Sequence, residues 1–126
     1  MKRLIFSVIV LVLIDQLSKY LLESSRNYGA AFGILQGYKI LFIIIGMMAI
    51  FLFIYYRKRF SGLGFYGMIF LLGGTIGNLI DRIVLGYVRD FIDVGFWPSF
   101  NLADSYNTTG VVLLIIYVWK TEQKKA

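Results

Sequence analysis

The chain has no cysteine and no histidine, a single proline, and only seven carboxylate side chains in 126 residues. Without thiols or imidazoles there are no disulfides, no thiol nucleophiles, no imidazole bases and none of the usual zinc or haem ligands. Any catalysis therefore runs on carboxylates, hydroxyls, amides or cations. Apolar residues are abundant instead: 59% of the chain is hydrophobic and its mean hydropathy is +0.75, which points to a bilayer as solvent. An aromatic content of 17% suits interfacial Trp and Tyr anchors. The net charge of +6 does not imply nucleic acid, because the basic residues flank apolar runs and form no stripe interleaved with stacking aromatics.

Hydropathy predicts one all-α integral membrane domain over residues 1–126, with four transmembrane helices at about 4–22, 40–56, 62–79 and 104–119. The first run resembles a secretory signal peptide in its Lys2-Arg3 start, but it lacks a small-residue cleavage site and is interrupted by Asp15, Gln16 and Lys19. In the third, Gly73, Gly74 and Gly77 let helix backbones approach closely in lipid. The connections 27–36 and 83–101 are too polar or irregular to span, so short extracytoplasmic loops with little or no β structure are expected. The amino terminus, the Arg57-Lys58-Arg59 loop and the tail hold eight of the 13 basic residues, which places both termini in the cytoplasm. Six of the seven acids (Asp15, Glu23, Asp81, Asp90, Asp93 and Asp104) then gather at the extracytoplasmic face.

Charged groups inside a span are costly and tend to be paired or functional. Asp15 has Lys19 one turn farther along, so a structural ion pair is the simpler account and proton chemistry the alternative. Asn78, Asp81 and Arg82 share one helical face at the end of the third span, as active-site support or as ordinary interfacial polar residues. Asp90 and Asp104 are each embedded in apolar sequence at a membrane boundary. Two such carboxylates can share a proton, one acting as general base on a water while the other donates to the scissile carbonyl. The plainer alternative makes Asp104 an N-cap and leaves Asp90 and Asp93 as solvated loop charges.

Five blocks in order resemble the lipoprotein signal peptidase (signal peptidase II) family: Asp15-Gln16-Leu17-Ser18-Lys19, Asn27-Tyr28-Gly29-Ala30-Ala31-Phe32, Gly77-Asn78-Leu79-Ile80-Asp81-Arg82, Val88-Arg89-Asp90-Phe91-Ile92-Asp93 and Phe100-Asn101-Leu102-Ala103-Asp104-Ser105. The resemblance implies a four-helix aspartyl endopeptidase of the bacterial cytoplasmic (inner) membrane, with its active site at the extracytoplasmic face. It would remove signal peptides from diacylglyceryl-modified prolipoproteins, as a monomer among membrane lipid, with no metal and no cofactor. Asp90 and Asp104 fall on the catalytic dyad. Asp15, Lys19, Asn27, Gly29, Asn78, Asp81, Arg82 and Asn101 fall on supporting or substrate-binding positions. Apart from the resemblance, the interfacial aromatics Trp97, Phe96 and Phe100 are read as lining a groove where the diacylglyceryl group enters, with a plain interfacial anchor as the alternative for Trp97.

The chain departs from that pattern in places. Only 11 residues separate Asp15 from Asn27 and only 7 separate Asp93 from Asn101, so both extracytoplasmic segments are shortened. Tyr28 replaces a small hydroxyl residue, and Tyr106, Asn107 and Thr109 replace small or apolar ones. Two other readings stay open: an inactive or minimised relative that binds lipidated peptides without cutting them, and a small proton-coupled transporter, which would want weaker Lys/Arg bias and a midplane acid.

Overall fold

The computed structural model describes residues 1–22, 24–30 and 35–126; Glu23 of the acidic group and Ala31 and Phe32 of the second block lie outside the described residues. In chain order the elements are α1 (Lys2–Leu21), β1 (Ser25–Asn27), α2 (Lys39–Tyr55), a 3-10 turn (Arg57–Arg59), α3 (Leu63–Val84), β2 (Val88–Asp90) and α4 (Leu102–Lys125). α1, α3 and α4 are long and apolar enough to cross a membrane, and α2 is a shorter apolar helix of 17 residues.

Apolar surface faces outward and the polar residues turn in. Phe6 is 70% exposed and Leu13 62%, whereas Asp15, Asp81 and Asn101 are fully buried. Lipid makes that arrangement favourable, since the helix exteriors lose nothing by contact with hydrocarbon while buried charges find partners inside. α3 is the central helix, packed on α1, α2 and α4. Leu4 and Val8 of α1 meet Met68, Ile69 and Leu72 of α3 in the apolar core at the amino-terminal end of α1.

The helix ends differ from the hydropathy reading at two places that matter. α3 continues past Leu79 to Val84, because Asn78, Asp81 and Arg82 all find partners in or beside the bundle and nothing forces the helix to stop. α4 starts at Leu102, and the N-cap role considered for Asp104 falls to Asn101. Asp104 is the third residue of α4, and the two side chains cap each other's backbone amides in a capping box.

The β structure is small and antiparallel. β1 pairs with β2 in the register Ser25↔Asp90, Arg26↔Arg89 and Asn27↔Val88. A further bridge joins Ile92 to Phe100, closing the loop between them and delivering Asn101 next to β2.

α3 and α4 touch backbone to backbone. A side chain at Gly110 would collide with the main chain of Gly67 and Leu71, whereas one at Gly46 of α2 would meet only side chains at ordinary contact distance. Gly110→Ala is therefore expected to destabilise the fold by about 1–3 kcal/mol, from overpacking. Gly46→Ala is expected to be neutral or slightly stabilising, from helix propensity. Thermal unfolding of the two variants in the same detergent checks the contrast.

Candidate active site

Lys19 lies at the centre of a buried charge cluster. Its ammonium is 2.8 Å from Asp15 Oδ2 and 3.3 Å from Asp81 Oδ2, and it also donates to Asn78 Oδ1 at 3.2 Å. Asp81 is held from its other side by Arg89, whose Nη2 and Nε donate to the two carboxylate oxygens at 2.9 and 3.2 Å. The main-chain N–H of Arg89 adds a third bond to Asp81 at 3.0 Å. Gln16 completes the cluster, donating to Asp81 Oδ1 at 3.0 Å and accepting from Arg89 at 2.8 Å. Two carboxylates thus face two cations, the arrangement in which buried charge is tolerable. Arg89 lies outside the spans, and its bond to Asp81 holds its guanidinium above the ordinary range.

The cluster also sets the start of α4. Asp15 Oδ1 accepts from the main-chain N–H of Ala103 at 2.9 Å, satisfying a first-turn amide that no intrahelical carbonyl reaches. Gly77 allows the approach, since a Cβ there would run into the Asp15 carboxylate. The ion pair with Lys19 and this capping bond account for both oxygens of Asp15.

In front of the cluster lies a cavity of about 740 Å³ between α2, α3, α4 and the 97–100 segment. Asp90 and Asp104 both line it, with Asn27, Asn78 and Arg82. Asp90 is brought there by β2, where its carbonyl accepts from the Ser25 hydroxyl at 3.2 Å. Two amides join the carboxylates: Asn101 Nδ2 donates to Asp90 Oδ1 at 2.9 Å and to Asn78 Oδ1 at 3.1 Å, and Asn78 Nδ2 donates to Asp104 Oδ1 at 3.2 Å. Lysine offers only donors, so its bond to Asn78 Oδ1 fixes which end of that amide faces Asp104. Burial, followed by the negative charge of Asp104, pushes the Asp90 carboxyl up to about 6. Asn27, Lys19 and Asn101 offset part of that rise.

Arg82 lines the same cavity, donates to the Gly29 carbonyl at 3.2 Å and lies 5.0 Å over the Phe42 ring. The Gly29 N–H donates to Asn27 Oδ1, so the second sequence block is tied to α3 through this arginine. Trp97 and Phe100 line the cavity, while Phe96 is 89% exposed and Asp93 closes a local turn by accepting from Gly95 N–H. Of the ten residues picked out from the sequence, Asn27, Asn78, Arg82, Asp90 and Asp104 line the cavity, Asp15, Lys19 and Asp81 form the charge cluster behind it, Asn101 bridges Asp90 and Asn78, and Gly29 is held by Arg82. Gln16, Arg89 and Asn107 were not among them. Gln16 and Arg89 are adjacent to Asp15 and Asp90 in the sequence blocks, but their link to Asp81 joins α1 to α3 and β2, from which it is distant along the chain.

The sequence profile of signal peptidase (SPase) II matches residues 21–120. The chain is 42% identical over 137 aligned residues to a lipoprotein signal peptidase of Halothermothrix orenii, covering 92% of this chain and 94% of that protein. It is 38% identical over 146 residues to a lipoprotein signal peptidase of Streptococcus pyogenes serotype M5, covering 96% of each. Both alignments exceed the 126 residues of this chain, so the relatives carry residues with no counterpart here. A solved bacterial membrane enzyme, determined by the in meso method at 2.3 Å, superposes with a TM-score of 0.91 at 32% identity, covering 100% of this chain and 93% of that one. A profile spanning most of the chain, together with relatives matched nearly end to end, makes this protein a member of the signal peptidase II family, an aspartic-type peptidase.

Proposed function

We propose that the chain is an intramembrane endopeptidase that removes signal peptides from diacylglyceryl-modified prolipoproteins, with Asp90 and Asp104 activating the attacking water. The observation that carries this reading is the meeting of both carboxylates on one cavity, bridged by the Asn101 and Asn78 amides. Neighbouring carboxylates in a desolvated site share a proton. Asp90, raised to about 6, is assigned that proton. Asp104, in the first turn of α4 and accepting from Asn78 and from the main chain of Asn101, is assigned the charge.

In the forward step Asp104 takes a proton from water as the water oxygen bonds to the scissile carbonyl carbon. Asp90 gives its proton to the carbonyl oxygen, and a neutral gem-diol forms. Collapse breaks the C–N bond, Asp104 passes its proton to the leaving nitrogen, and Asp90 recovers one from a gem-diol hydroxyl. Each carboxyl ends as it began. The Lys/Arg distribution supports cytoplasmic termini, and with α1 ending and α4 beginning at the site it supports chemistry at the extracytoplasmic face. Trp97 and Phe100 on the cavity wall suit an entering diacylglyceryl group.

The test is cleavage of a diacylglyceryl-modified prolipoprotein by the purified chain in lipid. Wild type is expected to cut. Asp90→Asn and Asp104→Asn are each expected to lose activity by at least about 10³-fold while remaining folded, since the acid–base pair is removed. Intact cleavage by either variant would end the dyad assignment.

A second expectation concerns pH. The Asp90 carboxyl rises from its ordinary value of 3.8 to about 6 on folding, so the native state binds more protons than the unfolded chain between those values. Stability should fall as pH rises through that window and stay lowered above it. Asp90→Asn removes the penalty. The variant is expected to melt several degrees higher than wild type at pH 8 and at the same temperature below about pH 4. Equal melting at pH 8 would argue against a desolvated Asp90.

A further inference from the structure

Asn107 stands one turn beyond Asp104 on α4 and lines the same cavity. Its Oδ1 is buried and has no hydrogen-bond partner among the described residues. That oxygen packs against Gly74, where any Cβ would strike both it and the carbonyl of Ala103. An amide oxygen held there gains nothing, and a buried acceptor left without a donor is costly. Leucine or isoleucine would fill similar space without that cost, and Asn107 is one of the positions at which this chain departs from its family's small or apolar pattern.

We propose that the Asn107 carboxamide is a substrate-positioning group, hydrogen-bonding the main chain of the peptide segment on the membrane side of the scissile bond. The assignment rests on the cleavage activity proposed above. A peptide bond is accessible to a dyad only when the segment around it is extended. A signal peptide unwound inside a bilayer exposes N–H and C=O groups that lipid cannot satisfy. The two other asparagines beside the carboxylates are already engaged with them, Asn78 with Asp104 and Asn101 with Asp90, and Arg82 donates to Gly29. Asn107 lies about 4.5 Å deeper along α4 than Asp104, at three residues' rise. With the amino terminus of the signal peptide on the cytoplasmic side, residues preceding the scissile bond pass this level. A half-turn of the amide about its last torsion exchanges its two ends, so the group can offer the peptide either a donor or an acceptor.

The experiment uses the full chain reconstituted in lipid and two synthetic diacylglyceryl-modified peptides spanning the cleavage site. One is all-amide. The other carries an ester in place of the peptide bond immediately preceding the scissile one, which removes an N–H and weakens the adjoining carbonyl as an acceptor. Against the all-amide peptide, Asn107→Leu is expected to raise KM about tenfold with kcat within about twofold, and to melt no lower than wild type. The ester is expected to raise KM about tenfold for wild type and to have no further effect on Asn107→Leu, because the two changes remove the same bond. Asn107→Ala repeats the cycle should the leucine variant fail to fold. Multiplicative losses across the cycle, or an unchanged KM in Asn107→Leu or Asn107→Ala, overturn the assignment while leaving the proposed activity in place. Absence of cleavage by wild type overturns both.

Discussion

Everything near the site depends on cancelling charge where water is scarce. Asp15 and Asp81 are fully buried, and an isolated carboxylate in such surroundings is prohibitively expensive. Lys19 from α1 and Arg89 from β2 neutralise them, with Gln16 bridging Asp81 and Arg89. Buried ion pairs of this kind contribute little net stability compared with a well-packed apolar core. Their value here is geometric, because each charge has only one arrangement in which every partner is satisfied. α1, α3 and β2 are tied together by five side chains.

That placement passes to the cavity through directional bonds. Asp15 holds the Ala103 amide, so α4 can begin only where α1 presents its carboxylate. Lys19 orients Asn78, and Asn78 in turn faces Asp104. Arg89 is bound to Asp81 by main chain and side chain together, so the neighbouring residue, Asp90, is delivered to the cavity by the same anchor. The charge cluster and the Asp90–Asp104 pair are consecutive layers of one arrangement. The layer behind balances two carboxylates with two cations.

The parts of this arrangement that are local in sequence were legible there. The spans show in hydropathy because a bilayer demands long apolar runs, and the Asp15–Lys19 pair shows because four residues make one helical turn. Asp104 as a helix-start residue was legible only to within a turn. Asn101 and Asp104 are both good capping residues, and only the three-dimensional capping box assigns their roles. The Asp15 bond to Ala103 and the Arg89 fork on Asp81 were not legible at all. Each joins segments whose neighbourhood is set by tertiary packing, and no pattern within either segment encodes the partner.

The segments that join the helices on the side of the site are short, and main-chain pairing holds them. β1 follows α1 after a three-residue link, and three residue pairs fix its register against β2. A short link has little closure entropy to overcome, so a pairing this small can persist when both of its ends are anchored. β2 is anchored by Arg89, and the Ile92–Phe100 bridge closes the loop that follows. The loop is therefore tied at both feet, at Asp90 and at Asn101, and a single amide of Asn101 spans the gap between them. The feet of the loop carry the Asp90 carboxylate and the Asn101 amide, and their positions depend on the bonds from Arg89 and across the Ile92–Phe100 bridge.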